Sequence, residues 1–200
     1  MARTAACLGR RAGRRKPLPA LLYFTDPVRT PDPEAVAARL PRGSAIVYRA
    51  FGAPDARAVA LRLKAIARRR GLKLLIGADE ALAAKVGADG LHLPERLATR
   101  APRIRARRPT WLITAAAHSP RAARAPVDAV VVSAIFPSGS PSAGRPLGPR
   151  RLAQIVRLSG RPVYALGGVN QTTAARLLGT GIVGIAGVEV FLSSPAWQGR

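Results

Sequence analysis

A single (β/α)8 barrel is the fold this sequence predicts, and three observations carry it. Eight short apolar runs alternate with helix-like segments at a spacing of about 20–25 residues, the rhythm of parallel strands joined by right-handed crossovers. The last two runs end in glycines, at 163–170 and 181–188, where such barrels commonly build a phosphate cup. The chain has 200 residues, enough for one domain and at the lower edge of what eight units need. A doubly wound open sheet is the alternative, but it rarely needs eight strands.

The elements follow in order. Residues 1–19 hold Arg3, Arg10, Arg11, Arg14, Arg15 and Lys16 with no acid before Asp26, and Pro17 and Pro19 close the stretch. This reads as a basic disordered tail. An Arg-rich targeting presequence has a similar composition, but the apolar core here is short for one. The barrel then occupies 20–200. Strand one is 20–25, and a helix opens near 32–34, where Pro33 suits a first turn. Strand two is 44–49. A helix over 55–70 places Val59, Leu61, Leu63, Ile66 and Ala67 at helical spacing, and Gly71 stops it. Strand three (72–76), a helix (79–86), strand four (88–93), a helix (95–108) and strand five (111–115) come next. A helix over 120–125, strand six (128–133), a long loop (136–146) and a helix over 149–158 follow. Strand seven begins at 163, a helix covers 172–178, strand eight covers 181–188, and a last helix starts at Glu189.

Composition bounds the function. No apolar run reaches the roughly 18–20 residues of a membrane span, so a soluble, cytoplasmic protein is expected. Cys7 is the one cysteine, which excludes an intrachain disulfide or a cysteine-based metal site. The formal charge is +23, yet the cations are spread along the chain and only Lys16, Lys64, Lys73 and Lys85 are lysines. Arg68, Arg69 and Arg70 close a helix, where cations suit the dipole, and no aromatic residues interleave with the clusters as a stacking platform would require. No specific nucleic-acid partner is expected, although weak polyanion binding at low salt is. A homo-oligomer is left open.

The glycine-ended strands carry the chemistry. Residues without Cβ let backbone N–H groups approach an anion, and a helix behind them adds a positive dipole end. Gly167, Gly168 and Val169, with Gly184, Ile185, Ala186 and Gly187, are therefore the expected phosphate-binding residues. Arg49 ends strand two and points to the mouth, where a phosphate or carboxylate contact is expected. His92, within an apolar Leu-His-Leu strand, reads as a satisfied barrel residue, and Tyr23 and Phe24 read as core.

In order along the chain stand Leu22-Tyr23-Phe24-Thr25-Asp26, Arg49, Gly87-Ala88-Asp89-Gly90-Leu91-His92-Leu93, Ala116-Ala117-His118-Ser119, Phe136-Pro137-Ser138, Leu166-Gly167-Gly168-Val169 and Gly184-Ile185-Ala186. From about 21 to 191 the chain resembles the thiamine phosphate synthase and thiazole tautomerase family. The resemblance implies thiamin biosynthesis. The synthase joins a hydroxymethylpyrimidine diphosphate to a thiazole phosphate with Mg²⁺ assistance, and the tautomerase moves a proton on a thiazole carboxylate phosphate. In the family, diphosphate and magnesium are held by a Gln-x-Arg-x-Lys pattern, an Asn-Asp, a further Asp and a Thr-x-Thr-Lys.

Here the matching positions read Val47, Arg49 and Phe51, then Gly77-Ala78 with Asp79 next, then Glu95 as the nearest carboxylate past strand four, then Ser138 and Ser140 with Arg145 downstream. Mg²⁺ is thus implied by the resemblance, while the loss of the family's aspartates argues against a complete site and leaves Asp79 and Glu95 as candidate ligands. Ser138, Ser140 and Arg145 remain as substrate-binding candidates. The phosphate cup is better kept, although Glu189 stands where a small hydroxyl residue is usual. That balance points to a phosphate-ester ligand, with His118 matching the tautomerase's general acid/base. The expected function is therefore a thiamin-pathway step, either condensation of the thiazole phosphate with hydroxymethylpyrimidine diphosphate or its isomerisation by His118; a binding barrel without turnover and a basic polyanion-binding protein are the alternatives.

Overall fold

The computed structural model describes residues 18–139 and 144–189, and within them eight parallel strands close into a barrel in the order β1 to β8. The strands are β1 (Leu21–Phe24), β2 (Ala45–Tyr48), β3 (Lys73–Gly77), β4 (Gly90–Leu93), β5 (Leu112–Ala117), β6 (Ala129–Val132), β7 (Val163–Ala165) and β8 (Gly184–Gly187). Closure is made by β1 against β8, with Leu22 paired to Ala186 and Tyr23 to Gly187.

Each strand is buried on both faces, which is why the sequence shows apolar runs rather than an alternation with polar residues. The period of two still sorts the side chains. Leu22, Phe24, Val47, Leu75, Val131 and Tyr164 fill the barrel, whereas Leu21, Tyr23, Ile46, Leu74 and Val130 pack beneath the helices. Leu18 packs against the interior cluster, and the carbonyl of Pro19 accepts a 2.6 Å hydrogen bond from the Tyr164 hydroxyl. Leu18 and Pro19, placed in the tail by the expected boundary at 20, thus both touch the barrel. The rest of the basic tail and the helix expected beyond Glu189 lie outside the described residues.

The helices are α1 (Pro33–Arg39), α2 (Ala56–Arg70), α3 (Glu80–Lys85), α4 (Ala101–Arg107), α5 (Gly148–Ser159) and α6 (Gln171–Ala174). Asp32 caps α1 by accepting from the amides of Glu34 and Ala35, one residue before Pro33. Gly71, at φ 65°, ends α2 in the left-handed conformation. Its buried face is Ala60, Leu63, Ile66 and Ala67, while Leu61 faces outward and Val59 is half-buried, a correction to the expected stripe.

Three other expected helices are shorter. The segment 95–108 divides into a 3-10 turn, Glu95–Arg100, and α4, because Pro102 has no N–H to continue the first piece and its ring crowds the carbonyl four residues back. The helix expected over 120–125 is a 3-10 turn at Ala122–Arg124, bracketed by Pro120 and Pro126. The one expected over 172–178 is α6 continued by a 3-10 turn to Leu177. Among the described residues no helix is long and apolar enough to cross a membrane.

His92 lies inside the barrel as the sequence suggests. Its Nδ1 stands 2.9 Å from Thr114 Oγ1, and its ring meets Phe24 edge-on at 4.9 Å. Burial, with the nearby Arg49 charge adding to it, pushes its pKa from 6.5 down to about 3. Below pH 6.5 the unfolded chain takes up a proton that the folded chain refuses, so the stabilisation from neutral His92 is complete above pH 6.5 and falls away as pH drops toward 3. Between pH 7 and pH 5 wild-type stability in urea should fall by about 2 kcal/mol through this group alone. His92→Gln should lack that loss; an unchanged slope in the variant would assign the dependence elsewhere.

Candidate active site

The carboxyl ends of β1, β2, β6, β7 and β8 surround a cavity of about 340 Å³. Its floor is Phe24, the last residue of β1. The loop after β7 supplies Leu166 to Asn170, the loop after β6 supplies Ser133, Ala134 and Pro137 to Gly139, and the end of β8 supplies Ala186 to Glu189.

Gly167 (φ 94°) and Gly168 (φ 63°) both need the left-handed region. They also lie hard against the loop after β6: a Cβ on Gly168 would run into the Pro137 carbonyl and lie 2.7 Å from Phe136 Cβ. That close approach lets the carbonyls of Leu166 and Gly167 accept from the amides of Ile135 and Phe136, each at 3.0 Å, so two loops become one surface. Among the described residues the amides of Gly167, Gly168 and Val169 have no protein acceptor. The amides of Thr172 and Thr173 are different, because the Asn170 side chain accepts both at 2.9 Å and Thr173 Oγ1 closes a capping box. The expected contribution of a helix N-terminus is thus taken up by the protein itself, which leaves the amides of Gly167, Gly168 and Val169 as the donors without a protein acceptor among the described residues.

Of the residues expected to bind phosphate at β8, only two line the cavity. Ala186 and Gly187 line the cavity with Val188 and Glu189, but Gly184 and Ile185 do not. Gly184 opens β8 in the barrel wall, where a Cβ would strike the Ala20 carbonyl and come within 2.7 Å of the Tyr164 ring, and Ile185 packs toward the helices.

Opposite the glycines stands a charged group that sequence reasoning found only in part. Arg49 is at the mouth as expected: its Nε donates to the Thr25 carbonyl at 2.8 Å, and its Nη2 lies 3.4 Å from Asp26 Oδ2. Its guanidinium stacks between Phe24, at 5.7 Å, and the exposed Phe51, at 5.0 Å. Burial lowers the Arg49 pKa from its ordinary value.

Asp26 and Arg29 were missed. Arg29 donates through Nε at 3.2 Å and Nη2 at 2.9 Å to Asp26 Oδ2, and Asp26 Oδ1 accepts the amides of Val28 and Arg29. Burial raises the Asp26 pKa, but the hydrogen bonds from Arg29 and Val28 together outweigh it and the net shift is downward. Tyr23 and Thr30 pin the turn, the Tyr23 hydroxyl donating to Thr30 Oγ1 at 3.0 Å. The Asp26-Pro27 pair at the end of a strand is the signal that could have pointed to this turn.

Of the other candidates, Ser138 lines the cavity, Arg145 is exposed and does not, and Ser140 lies outside the described residues. His118 and Glu95 are also absent from the lining. They meet each other instead, at the ends of β5 and β4: Glu95 Oε2 is 2.8 Å from His118 Nδ1 and accepts the His118 amide at 2.7 Å. Asp79 is also absent from the lining. Its Oδ1 caps α3 by accepting the Leu82 amide at 2.8 Å.

With this geometry in hand, the family described as thiamine monophosphate synthase matches residues 22–191. The chain belongs to the thiamine monophosphate synthase family. The thiamine-phosphate synthase of Methylococcus capsulatus is 30% identical over 159 residues, 74% of this chain and 69% of that protein. The bifunctional thiamine biosynthesis protein ThiM/ThiE of Symbiobacterium thermophilum is 30% identical over 141 residues, 68% of this chain but 29% of the relative, so the chain spans under a third of that longer protein. In three dimensions the chain is similar to the thiamine phosphate pyrophosphorylase of Pyrococcus furiosus, with a TM-score of 0.72, 25% identity, and coverage of 89% of this chain and 90% of that one.

For a thiamine monophosphate synthase family member, the fit to magnesium is poor. A hard cation needs several free oxygens. Asp79 Oδ1 is taken up by a helix cap and Glu95 Oε2 by His118, and among the described residues no group of three His, Cys, Asp or Glu side chains stands close enough to hold a metal.

Proposed function

We propose that this chain is a thiamin-pathway enzyme that binds a thiazole phosphate ester in its β7/β8 cup and moves a proton on the heterocycle with His118. The observation that carries the reading is that Gly167, Gly168 and Val169 line the cavity and their amides have no protein acceptor among the described residues. Buried or half-buried donors of this kind are normally matched, and a phosphate oxygen matches them well. Arg49 and Arg29 stand ready on the other side for a second anionic group such as a carboxylate.

His118 supplies the proton chemistry. A carboxylate only accepts, so the 2.8 Å contact with Glu95 makes His118 Nδ1 the N–H donor and leaves Nε2 with the lone pair. Nε2 then takes a proton from a ring position, the electron pair spreads into the conjugated carboxylate, and the imidazolium returns the proton to another ring atom. Imidazole performs both halves near neutral pH without a metal.

A second reading, ligand binding without turnover, is favoured by the position of His118 outside the cavity lining. Calorimetric titration with thiazole phosphate and with the pyrimidine diphosphate, each with and without Mg²⁺, tests the proposal. We expect the thiazole phosphate alone to bind, unaffected by Mg²⁺, and the thiazole carboxylate phosphate to exchange a ring proton in D2O. Binding without exchange selects the second reading, and magnesium-dependent binding of both ligands with pyrophosphate release replaces the proposal with the synthase reaction.

A further inference from the structure

We infer that Phe51 is a positioning residue: its ring, stacked on the Arg49 guanidinium, holds that arginine at the cavity for a second anionic group on a bound phosphate ester. The inference rests on the phosphate lying in the β7/β8 cup. Phe51 breaks a local rule. Ala50 to Ala53 form a turn in which the Ala53 amide donates to the Ala50 carbonyl at 2.9 Å, with φ 49° at Phe51 and 81° at Gly52. Positive φ at both central positions is the mark of a type I′ turn, where Asn-Gly is the favoured pair and a bulky side chain in the first place is strained.

Burial does not explain the choice, because Phe51 is 66% exposed. Strain kept without a packing gain points to a functional task, and what the ring touches is Arg49, whose Cζ lies 5.0 Å from its centroid. The guanidinium carries more donors than the Thr25 carbonyl and Asp26 take, and Arg49 lines the cavity. A like charge stands beside it: Arg29 lines the same cavity and repels it. An aromatic ring on the face of a guanidinium offsets that repulsion and leaves the N–H edge free, which a further carboxylate in the same place would not. Phe51 therefore holds the cation still without consuming a donor.

Calorimetric titration of the wild type, Phe51→Asn and Phe51→Tyr with thiazole phosphate, and with thiazole carboxylate phosphate to add the second anion, tests this. The wild type should bind the carboxylate ester more tightly. In Phe51→Asn its affinity should fall about threefold to fivefold, the size of one partly exposed cation–π contact, while that of thiazole phosphate stays within about 1.5-fold. Because asparagine suits the turn, the melting temperature should not fall and should rise by up to about 3 °C. Tyrosine keeps the ring, so Phe51→Tyr should retain the wild-type preference. An unchanged preference in Phe51→Asn, a lost preference in Phe51→Tyr, or a loss in Phe51→Asn shared by both ligands or accompanied by a lowered melting temperature overturns the inference. Equal wild-type affinities for the two esters overturn it while leaving the cup intact. If neither ester nor inorganic phosphate binds the wild type, the cup itself is wrong and the inference falls with it.

Discussion

His118→Ala should lower proton exchange on a thiazole carboxylate phosphate by about 100-fold to 10,000-fold, the range for loss of a positioned general base, while thiazole phosphate affinity stays within about twofold. The split follows from where the groups stand. The proposed phosphate contacts are amides after β7 and at the end of β8, and His118 ends β5 elsewhere on the mouth, outside the cavity lining. Removing its ring takes nothing from the phosphate. Glu95→Gln should be milder, roughly tenfold, because a carboxamide still meets His118 Nδ1 but no longer dictates which tautomer is present. The split between kcat and KM separates this positioning role from a purely structural one: kcat should fall while KM for the thiazole carboxylate phosphate stays near the wild-type value. Deuterium exchange at the ring, followed by proton NMR at several substrate concentrations, measures all three. Wild-type exchange in His118→Ala would take His118 out of the mechanism.

What the sequence reveals here depends on whether a feature is local. The eight strands were legible because each is buried on both sides and so must be apolar throughout. Gly71 as the end of α2 was legible because a left-handed residue wants a glycine. Helix lengths after β4 and β5 were not, since Pro102 and the pair Pro120 and Pro126 favour 3-10 turns within stretches that still carry helical composition.

The site divides in the same way. Gly167 and Gly168 announce themselves as an adjacent pair of residues with positive φ. In β8 the composition is apolar from Gly181 onward, so nothing local marks where the strand leaves the wall, and of the four residues expected there Gly184 and Ile185 do not line the cavity. The contact of Arg29 with Glu189 and the pairing of His118 with Glu95 are products of barrel closure and of neighbouring strand ends. Each residue alone looks like one more surface charge. Asp79 shows the converse: a carboxylate at a suggestive position whose immediate task is a helix cap.

Gly168→Ala should abolish phosphate-ester binding at millimolar ligand and lower stability by about 3 kcal/mol, or roughly 6–12 °C in melting temperature for a domain of this size. Two costs combine. An alanine at φ 63° pays the left-handed penalty of about 1 kcal/mol. Its Cβ must also displace the Pro137 carbonyl and lies 2.7 Å from Phe136 Cβ, and neither is the far end of a flexible chain. The loops after β6 and β7 cannot separate there without straining the bond from the Phe136 amide to the Gly167 carbonyl, which ties the Gly167–Gly168 peptide to the loop after β6.

Gly87→Ala isolates the first cost from the second. Its φ is 62°, nearly the same, but a Cβ there meets nothing within 4 Å and it stands apart from the cavity. That variant should lose only about 1 kcal/mol and bind thiazole phosphate as the wild type does. Thermal unfolding and calorimetric titration of the two variants side by side give the comparison. Should Gly168→Ala bind as tightly as Gly87→Ala, backbone amides at this loop do not hold the ligand, and the anion must instead be gripped by Arg29 and Arg49.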